Sequence, residues 1–283
     1  MGFLVTVLPY IRAVKKRNRK PLNNYSKIVQ FAPVCVVLLF TFINKFQNAQ
    51  TDYVTKKRDT NQVLDSSILR NLSWADYSRN YYNLQYGIQD QEYIKAKTHK
   101  NKLVIPSSAW ATNESYWQAV YSEIVTKDYE IIEKIADSLA VIRTKQNLNP
   151  AEFANTIMTF VQDIDYAFVF AKRSCSEEPN TPCIDGQKFG LHTPTEFMYT
   201  LQGDCDTRAL LLWGIYKHLG YDPKIAISEA YRHAMLLLNL PSSGSYMTQF
   251  GMKYYFWETT GKGWKLGILP PSTPNIKQWK IVL

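Results

Sequence analysis

A cysteine, a histidine and a glutamate follow one another in the C-terminal half of this 283-residue chain. Cys205 lies between Asp204 and Asp206, and His233 and Glu258 come after it. In this order the three residue types are those of a thiol nucleophile, its general base and the acid that orients the base. We therefore expect acyl transfer, in which the Cys205 thiolate attacks an amide carbonyl, His233 protonates the leaving amine and Glu258 holds His233.

The sequence around Cys205 indicates the start of a helix. Gly203 interrupts the chain, and Asp204 or Asp206 is suited to cap the helix that follows. The apolar residues after Cys205 have helical spacing: Ala209, Leu212, Trp213 and Tyr216. In the first turn, the positive end of the helix dipole favours a thiolate, which is the reactive form of cysteine. The two flanking aspartates oppose this effect, depending on where their side chains point.

Two predicted strands would bring His233 and Glu258 together. His233 lies early in an apolar run from 231 to 240, and Glu258 lies late in an aromatic run from 253 to 259. Residues 241–251 contain Pro, Ser and Gly and are predicted to form the connecting loop. If the strands are antiparallel neighbours, the two side chains come level, and the carboxylate can fix the tautomer of the imidazole.

Acyl transfer also requires donors for the oxyanion that develops on the carbonyl oxygen. The backbone N–H of Cys205, at the start of a helix, is the natural first donor. For the second donor the sequence leaves three candidates open, which are Gln202, Gln187 and Tyr199.

Residues 150–270 resemble the transglutaminase-like superfamily, of a bacterial, membrane-anchored type. The segments that carry the resemblance are Phe160-Val161-Gln162-Asp163-Ile164-Asp165-Tyr166, Gly203-Asp204-Cys205, His233-Ala234-Met235 and Glu258-Thr259-Thr260. The resemblance implies a papain-like fold with Cys205 as nucleophile, His233 as base and Glu258 as the orienting acid. The family's acid is usually Asp, and its histidine is often followed by Ala-Trp, so this chain departs at Glu258 and Met235.

The same family contains cross-linking enzymes, peptidases, deglycosylating amidases and inactive members. A peptide or protein substrate is therefore expected, but hydrolysis and cross-linking remain alternatives, as does a catalytically inactive binding or scaffold module. A thiol redox protein is disfavoured because Cys205 has no nearby resolving cysteine.

The order of predicted elements is typical of an α+β fold, with the cysteine-bearing helix packed on an antiparallel sheet and preceded by a helical segment and one N-terminal transmembrane helix. The expected helices cover 114–146, 150–166 and 196–201, and the expected strands cover 224–228, 231–240, 253–259 and 264–269, with further strands or a hairpin within 69–105. The predicted organisation is a basic cytoplasmic tail (1–26), a transmembrane anchor (27–46), a linker (47–65), an N-terminal extension of unknown role (66–149) and a transglutaminase-like catalytic domain (150–283).

The net charge of +9 is concentrated near the N-terminus. Eight of the 33 Lys and Arg residues lie in residues 1–46, which contain no Asp or Glu, so the remainder holds 25 basic and 24 acidic residues. A nearly neutral body argues against nucleic-acid binding.

The basic cluster precedes a charge-free apolar run from Ile28 to Ile43, bounded by Lys27 and Lys45. This pattern predicts a single-pass anchor in the cytoplasmic membrane, with the N-terminus inside and the C-terminal body periplasmic or extracellular. A signal peptide cleaved near residues 48–50 and a buried core helix are the alternatives.

The four cysteines fit an exported body. Cys35 lies in the apolar run and Cys205 is the candidate nucleophile, which leaves Cys175 and Cys183 to form a disulfide in an oxidising compartment or to remain two free thiols. No CxxC or HxxxH spacing occurs, so we expect no metal site and no cofactor.

Overall fold

A computed structural model describes residues 66–177 and 180–283 of the chain. The predicted tail (1–26), anchor (27–46) and linker (47–65) lie outside these residues. Among the described residues, no helix has the length and apolar character needed to cross a bilayer.

The described part is an α+β structure. Its helices are α1 (Asp90–Lys102), α2 (Asn113–Lys127), α3 (Tyr129–Gln146), α4 (Pro150–Asp163), α5 (Pro194–Thr200) and α6 (Cys205–His218). Its strands are β1 (Ser67–Ala75), β2 (Tyr81–Gln89), β3 (Phe168–Val169), β4 (Cys183–Ile184), β5 (Pro223–Ser228), β6 (His233–Leu238), β7 (Tyr246–Gln249), β8 (Met252–Trp257) and β9 (Lys280–Ile281).

Strands β1 and β2 form the antiparallel hairpin expected within 69–105. Alternate residues of β2 are buried, namely Tyr82, Leu84, Tyr86 and Ile88. These side chains join the same hydrophobic core as helices α3 to α6. The described residues from 66 to 283 accordingly belong to one compact unit, and the boundary predicted between 149 and 150 falls inside it.

The predicted helix 114–146 is two helices that break at Asp128. The side chain of Asp128 is buried, and one carboxylate oxygen accepts a hydrogen bond from the Thr195 N–H at 2.7 Å. Helix α4 begins as its sequence predicts, because Asn149 accepts from the N–H of Glu152 and Glu152 accepts from the N–H of Asn149.

The main sheet has five strands in the order β7-β8-β6-β5-β9, and all its pairs are antiparallel. Helix α6 packs across β5 and β6, and nearly every side chain from Cys205 to Tyr216 is buried. A helix that is apolar on all sides is expected in the centre of a core. The predicted packing of the cysteine-bearing helix on an antiparallel sheet is thereby confirmed.

Two predictions near the C-terminus are wrong. The predicted loop 241–251 contains β7, and the predicted strand 264–269 is a turn. In this turn Gly263 and Gly267 have φ of 85° and 89°, a left-handed conformation that bends the chain away from an extended course. The backbone of Gly267 also approaches Ser243 so closely that a Cβ would lie 1.8 Å from its carbonyl oxygen.

The predicted disulfide between Cys175 and Cys183 is present, with Cα atoms 5.6 Å apart. It lies between β3 and β4, a short parallel pair in which Phe168 is opposite Cys183. The bridge therefore links the residues after β3 to the first residue of β4.

Candidate functional site

Cys205 is the first residue of α6, and Asp204 is the residue that caps the helix. A side-chain oxygen of Asp204 accepts from the N–H and the hydroxyl of Thr207, at 3.2 Å and 2.7 Å. Before the cap, Gly203 leaves no room for a side chain, since a Cβ there would lie 2.6 Å from Thr207 Cγ2. These contacts fix the position of Cys205, which is only 5% exposed.

His233 is the first residue of β6, and Glu258 directly follows the last residue of the adjacent strand β8. His233 Nε2 and Glu258 Oε2 are 2.8 Å apart. The other oxygen of Glu258 accepts from the N–H groups of Thr259 and Thr260, at 2.8 Å and 2.9 Å, and from the Thr260 hydroxyl at 2.7 Å. The predicted contact between histidine and glutamate is confirmed.

The environment of Glu258 fixes its charge. Burial by itself would raise the pKa of Glu258, but the hydrogen bonds with His233 and Thr260 and the attraction to His233 lower this pKa below its ordinary value. An ionised carboxylate only accepts hydrogen bonds, so Nε2 of His233 carries a proton and Nδ1 of the neutral ring is left as the acceptor.

The thiol of Cys205 is held between helix and sheet. The backbone N–H of Ala234, the residue after His233, lies near the sulfur and lowers the pKa of the thiol. The thiol in turn donates to Asp206 Oδ2 at a distance of 3.4 Å. Cys205 is thus placed beside the first residues of β6, where His233 lies.

The sequence-based expectation of a lowered Cys205 pKa is not met in this structure. Burial raises the pKa of the thiol well above its usual range, and the charges of Asp206 and Asp204 raise it further. The Ala234 N–H acts in the opposite direction but does not outweigh them. The aspartates that flank Cys205 therefore favour the neutral thiol.

Asp206 has a second partner that the sequence did not indicate. The hydroxyl of the fully buried Tyr121, on α2, donates to Asp206 Oδ1. Burial raises the pKa of Tyr121 well above its ordinary value, so the hydroxyl keeps its proton and remains a donor. The carboxylate of Asp206 is therefore bound by the tyrosine on one oxygen and by the thiol on the other.

Arg208, one turn after Cys205, ties the site to its surroundings. Its fully buried guanidinium donates to five backbone carbonyl groups, those of Gly203, Val161, Ile164, Asp165 and Thr259, at 2.7–3.5 Å. These hydrogen bonds connect the residue before the α6 cap, the end of α4 and the residue after Glu258. The signal available in the sequence was an arginine directly before the apolar run from Ala209 to Tyr216.

The side chain of Gln162 binds the backbone of Glu258. Its Nε2 donates to the carbonyl oxygen of Glu258 at 2.8 Å and to that of Trp264 at 2.9 Å. Its Oε1 accepts from the hydroxyl of Tyr77 at 3.1 Å. Gln162 belongs to the segment 160–166, to which the sequence analysis assigned no role in the site.

Two of the oxyanion candidates are engaged elsewhere. Tyr199 donates to Asp90 at 2.8 Å, and Gln187 accepts from the ammonium group of Lys100 at 3.2 Å. Gln202 is exposed, three residues before Cys205. The N–H of Cys205 belongs to the first turn of α6, where N–H groups have no partner within the helix.

A cavity of about 230 Å³ opens beside His233. Its lining includes His233, Asp206 and Tyr121. The further lining residues come from α2, from the segment before α5, from the end of β5 and from the turn between β5 and β6: Asn113, Trp117, Phe189, Ile227, Ser228, Glu229 and Arg232. A larger cavity of about 460 Å³ is lined by residues of α1, α2 and α3 and by none of the three triad residues. Of these two cavities, the one of about 230 Å³ is the one that reaches His233.

The described residues contain no group of three or more His, Cys, Asp or Glu side chains arranged to hold a metal ion. Comparison with protein-family models, with curated proteins and with solved structures finds no match to this chain.

Proposed function

We propose that this protein catalyses thiol-dependent acyl transfer on amide bonds, as a peptidase, amidase or transglutaminase-like enzyme, with Cys205, His233 and Glu258 as its triad. The observation that carries the proposal is the 2.8 Å contact of His233 with the buried Glu258. The residue after His233, Ala234, has its N–H near the Cys205 sulfur at the start of α6. The order of the residues and the packing of α6 on the sheet agree with the resemblance to the transglutaminase-like superfamily and its papain-like core.

In the proposed reaction, Nδ1 of His233 accepts the proton of the Cys205 thiol, and the sulfur forms a bond to the carbonyl carbon of an amide. The carbonyl oxygen becomes an oxyanion that the Cys205 N–H can stabilise. The C–N bond then breaks, and His233 returns its proton to the leaving amine. Water or a second amine attacks the resulting thioester, which gives a carboxylic acid or a new amide and regenerates the thiol.

Glu258 acts through His233 in this scheme. It holds the proton on Nε2, so that Nδ1 stays free to take the thiol proton, and it stabilises the imidazolium that forms. Gln162 and Arg208 are positioning residues, because they fix the backbone on either side of Glu258 and at the cysteine loop.

The second candidate function is a catalytically inactive binding or scaffold module with the same fold. The observation that favours it is the thiol itself, which is 5% exposed and has a pKa raised by burial and by two carboxylates. An inactive protein would retain the cleft and need no thiolate.

The proposed place of action is outside the cytoplasmic membrane, with a membrane anchor at 27–46 and a peptide or protein substrate. The disulfide between Cys175 and Cys183 supports this placement, because such bonds persist in oxidising compartments. The charge-free apolar run after a basic segment supports the anchor.

The proposal is tested by acylation of the full-length protein with 4-nitrophenyl acetate, followed by peptide mapping with mass spectrometry. An active enzyme should carry an acetyl thioester on Cys205, formed much more slowly in His233→Ala and absent in Cys205→Ala. No modification of Cys205, or equal modification with and without His233, would favour the binding module.

A further inference from the structure

The cavity next to His233 contains charges that the triad does not need. Asp206 contributes its carboxylate to the lining, and the exposed Glu229 adds a second one. Trp117 and Phe189 line the same space with aromatic rings. Carboxylates and aromatic faces together are the surroundings that proteins use to bind positively charged groups.

Asp206 is the charge closest to the reacting sulfur. Its Oδ2 accepts from the Cys205 thiol and its Oδ1 from Tyr121. An ion pair with a basic group in the pocket is therefore available to this carboxylate, and the sulfur-to-oxygen hydrogen bond of 3.4 Å is the weakest contact that such a group would have to replace.

We propose that this cavity binds a positively charged side chain of the peptide substrate, next to the amide bond that Cys205 attacks, with Asp206 as its ion-pair partner. The proposal rests on the proposed function and defines its substrate class. The basic side chain compensates the negative charge beside the sulfur, so the Cys205 thiol becomes free to give its proton to His233. Substrates without this charge leave the thiol bound to Asp206.

Arg232, the one Lys or Arg among the described residues that line the cavity, is more exposed than Asp206. It is exposed, with φ of 49° in the turn after Glu229, and its N–H donates to the Glu229 carbonyl oxygen. Arg232 is therefore in contact with solvent, whereas Asp206 is half-buried and contacts the Cys205 thiol. If Arg232 governed recognition instead, the cavity would select acidic peptides.

The adjoining cavity gives the rest of the peptide a path. It measures about 190 Å³ and shares Asn113, Ile227 and Glu229 with the first cavity. Its further lining carries both signs of charge, from Glu114, Lys277 and Lys280. The positive-charge preference is therefore assigned to the cavity beside His233 alone.

The test measures binding in the full-length Cys205→Ala protein, where no acyl transfer can occur. Three peptides differ only at the central side chain: acetyl-Ala-Lys-Ala-amide, the same peptide acetylated on the lysine amine, and acetyl-Ala-Glu-Ala-amide. Isothermal titration calorimetry should show the lysine peptide binding at least tenfold more tightly than the other two, with a preference that weakens as salt is added.

Two further substitutions in that background locate the contact. Asp206→Asn should remove the preference for the lysine peptide, and Glu229→Gln, a change at an exposed position, should reduce it by a smaller factor. Equal affinity for all three peptides, no measurable binding of any, tighter binding of the glutamate peptide, or a preference untouched by Asp206→Asn would each overturn the proposal.

Because binding is measured without the thiol, this outcome is separate from that of the acetylation experiment. Binding of the lysine peptide together with an unreactive Cys205 would retain the recognition site and reject the enzyme. An acetylated Cys205 without a preference for the lysine peptide would support the enzyme and reject the recognition site.

Discussion

The Cys205 thiol and the Asp206 carboxylate are hydrogen-bonded, with 3.4 Å between Sγ and Oδ2. Neighbouring residues at the start of a helix rarely face one another, and here Tyr121 holds Asp206 in place from α2. This contact and the charge of Asp206 favour the protonated sulfur, from which the proposed reaction would start.

Removal of the Asp206 charge should make the thiol more acidic. In Asp206→Asn the oxygen that contacts the sulfur remains, but the negative charge that raises the Cys205 pKa is lost. We expect the pH of half-maximal alkylation by iodoacetamide to fall by about one unit or more. The rate is followed by mass spectrometry of the peptide that contains Cys205. An unchanged pH profile would show that Asp206 does not control the thiol.

Replacement of Glu258 by Gln should reduce the ability of His233 to accept the thiol proton, with a smaller effect on the fold. A glutamine amide can donate to Nε2 of His233 and thereby place the ring proton on Nδ1, where it cannot accept from the thiol. We expect acetylation of Cys205 to slow by about a hundredfold or more. Glu258→Asp is the matched control, because it keeps the charge and should retain more activity than Glu258→Gln.

The same substitution predicts a pH dependence of stability. The pKa of Glu258 is lowered in the folded protein, so its ionised form stabilises the fold above the unfolded pKa of about 4.3, and this stabilisation is lost as the pH falls through the lowered folded pKa. Denaturant unfolding should therefore show wild type more stable than Glu258→Gln near neutral pH, with the difference disappearing in acid. A difference that grows in acid would contradict this assignment.

Arg208 should be among the residues on which stability depends most. Replacement by Met leaves buried carbonyl groups without their shared donor, and we expect a loss of about 3–5 kcal/mol in the free energy of unfolding. Urea denaturation followed by circular dichroism measures it. Lys127→Met, the same type of change at an exposed position, should cost less than about 0.5 kcal/mol. Similar losses of stability in both variants would show that the hydrogen bonds of Arg208 contribute little to the fold.

The packing around residue 203 leaves no room for a side chain larger than that of glycine. A Cβ there would lie 2.6 Å from Thr207 and 2.8 Å from the Phe197 ring, so Gly203→Ala should destabilise by about 1–3 kcal/mol and shift the start of the cysteine helix. In Gly87→Ala the nearest atom is at 3.7 Å, and thermal unfolding should change little. Equal melting temperatures for the two variants would mean that the loop before Cys205 adjusts freely.

The sequence predicted the parts of the site that depend on local patterns. A cap by Asp204 or Asp206, the helix after Cys205 and the two strands near His233 and Glu258 follow from turn residues and hydrophobic spacing, and the structure shows Asp204 as the cap. The strand predicted at 264–269 was wrong because an apolar pattern does not reveal the left-handed turns at Gly263 and Gly267.

The electrostatics of the thiol could not be predicted in the same way. Whether Asp206 opposes the thiolate depends on the direction of its side chain, and this is set by Tyr121, which is 85 positions away in the chain. The contacts of Arg208 and Gln162 likewise go to backbone atoms of distant segments, which carry no signature in a single sequence.

The measurement that tests the central claim most directly is the alkylation rate of Cys205 near neutral pH, compared with that in His233→Ala, in the wild-type and Asp206→Asn backgrounds. If His233 is the base of this thiol, its loss should slow alkylation by about tenfold or more, most clearly once the Asp206 charge is removed. Circular dichroism verifies that the variants are folded. Equal rates with and without His233 in both backgrounds would contradict the account and leave a binding module in its place.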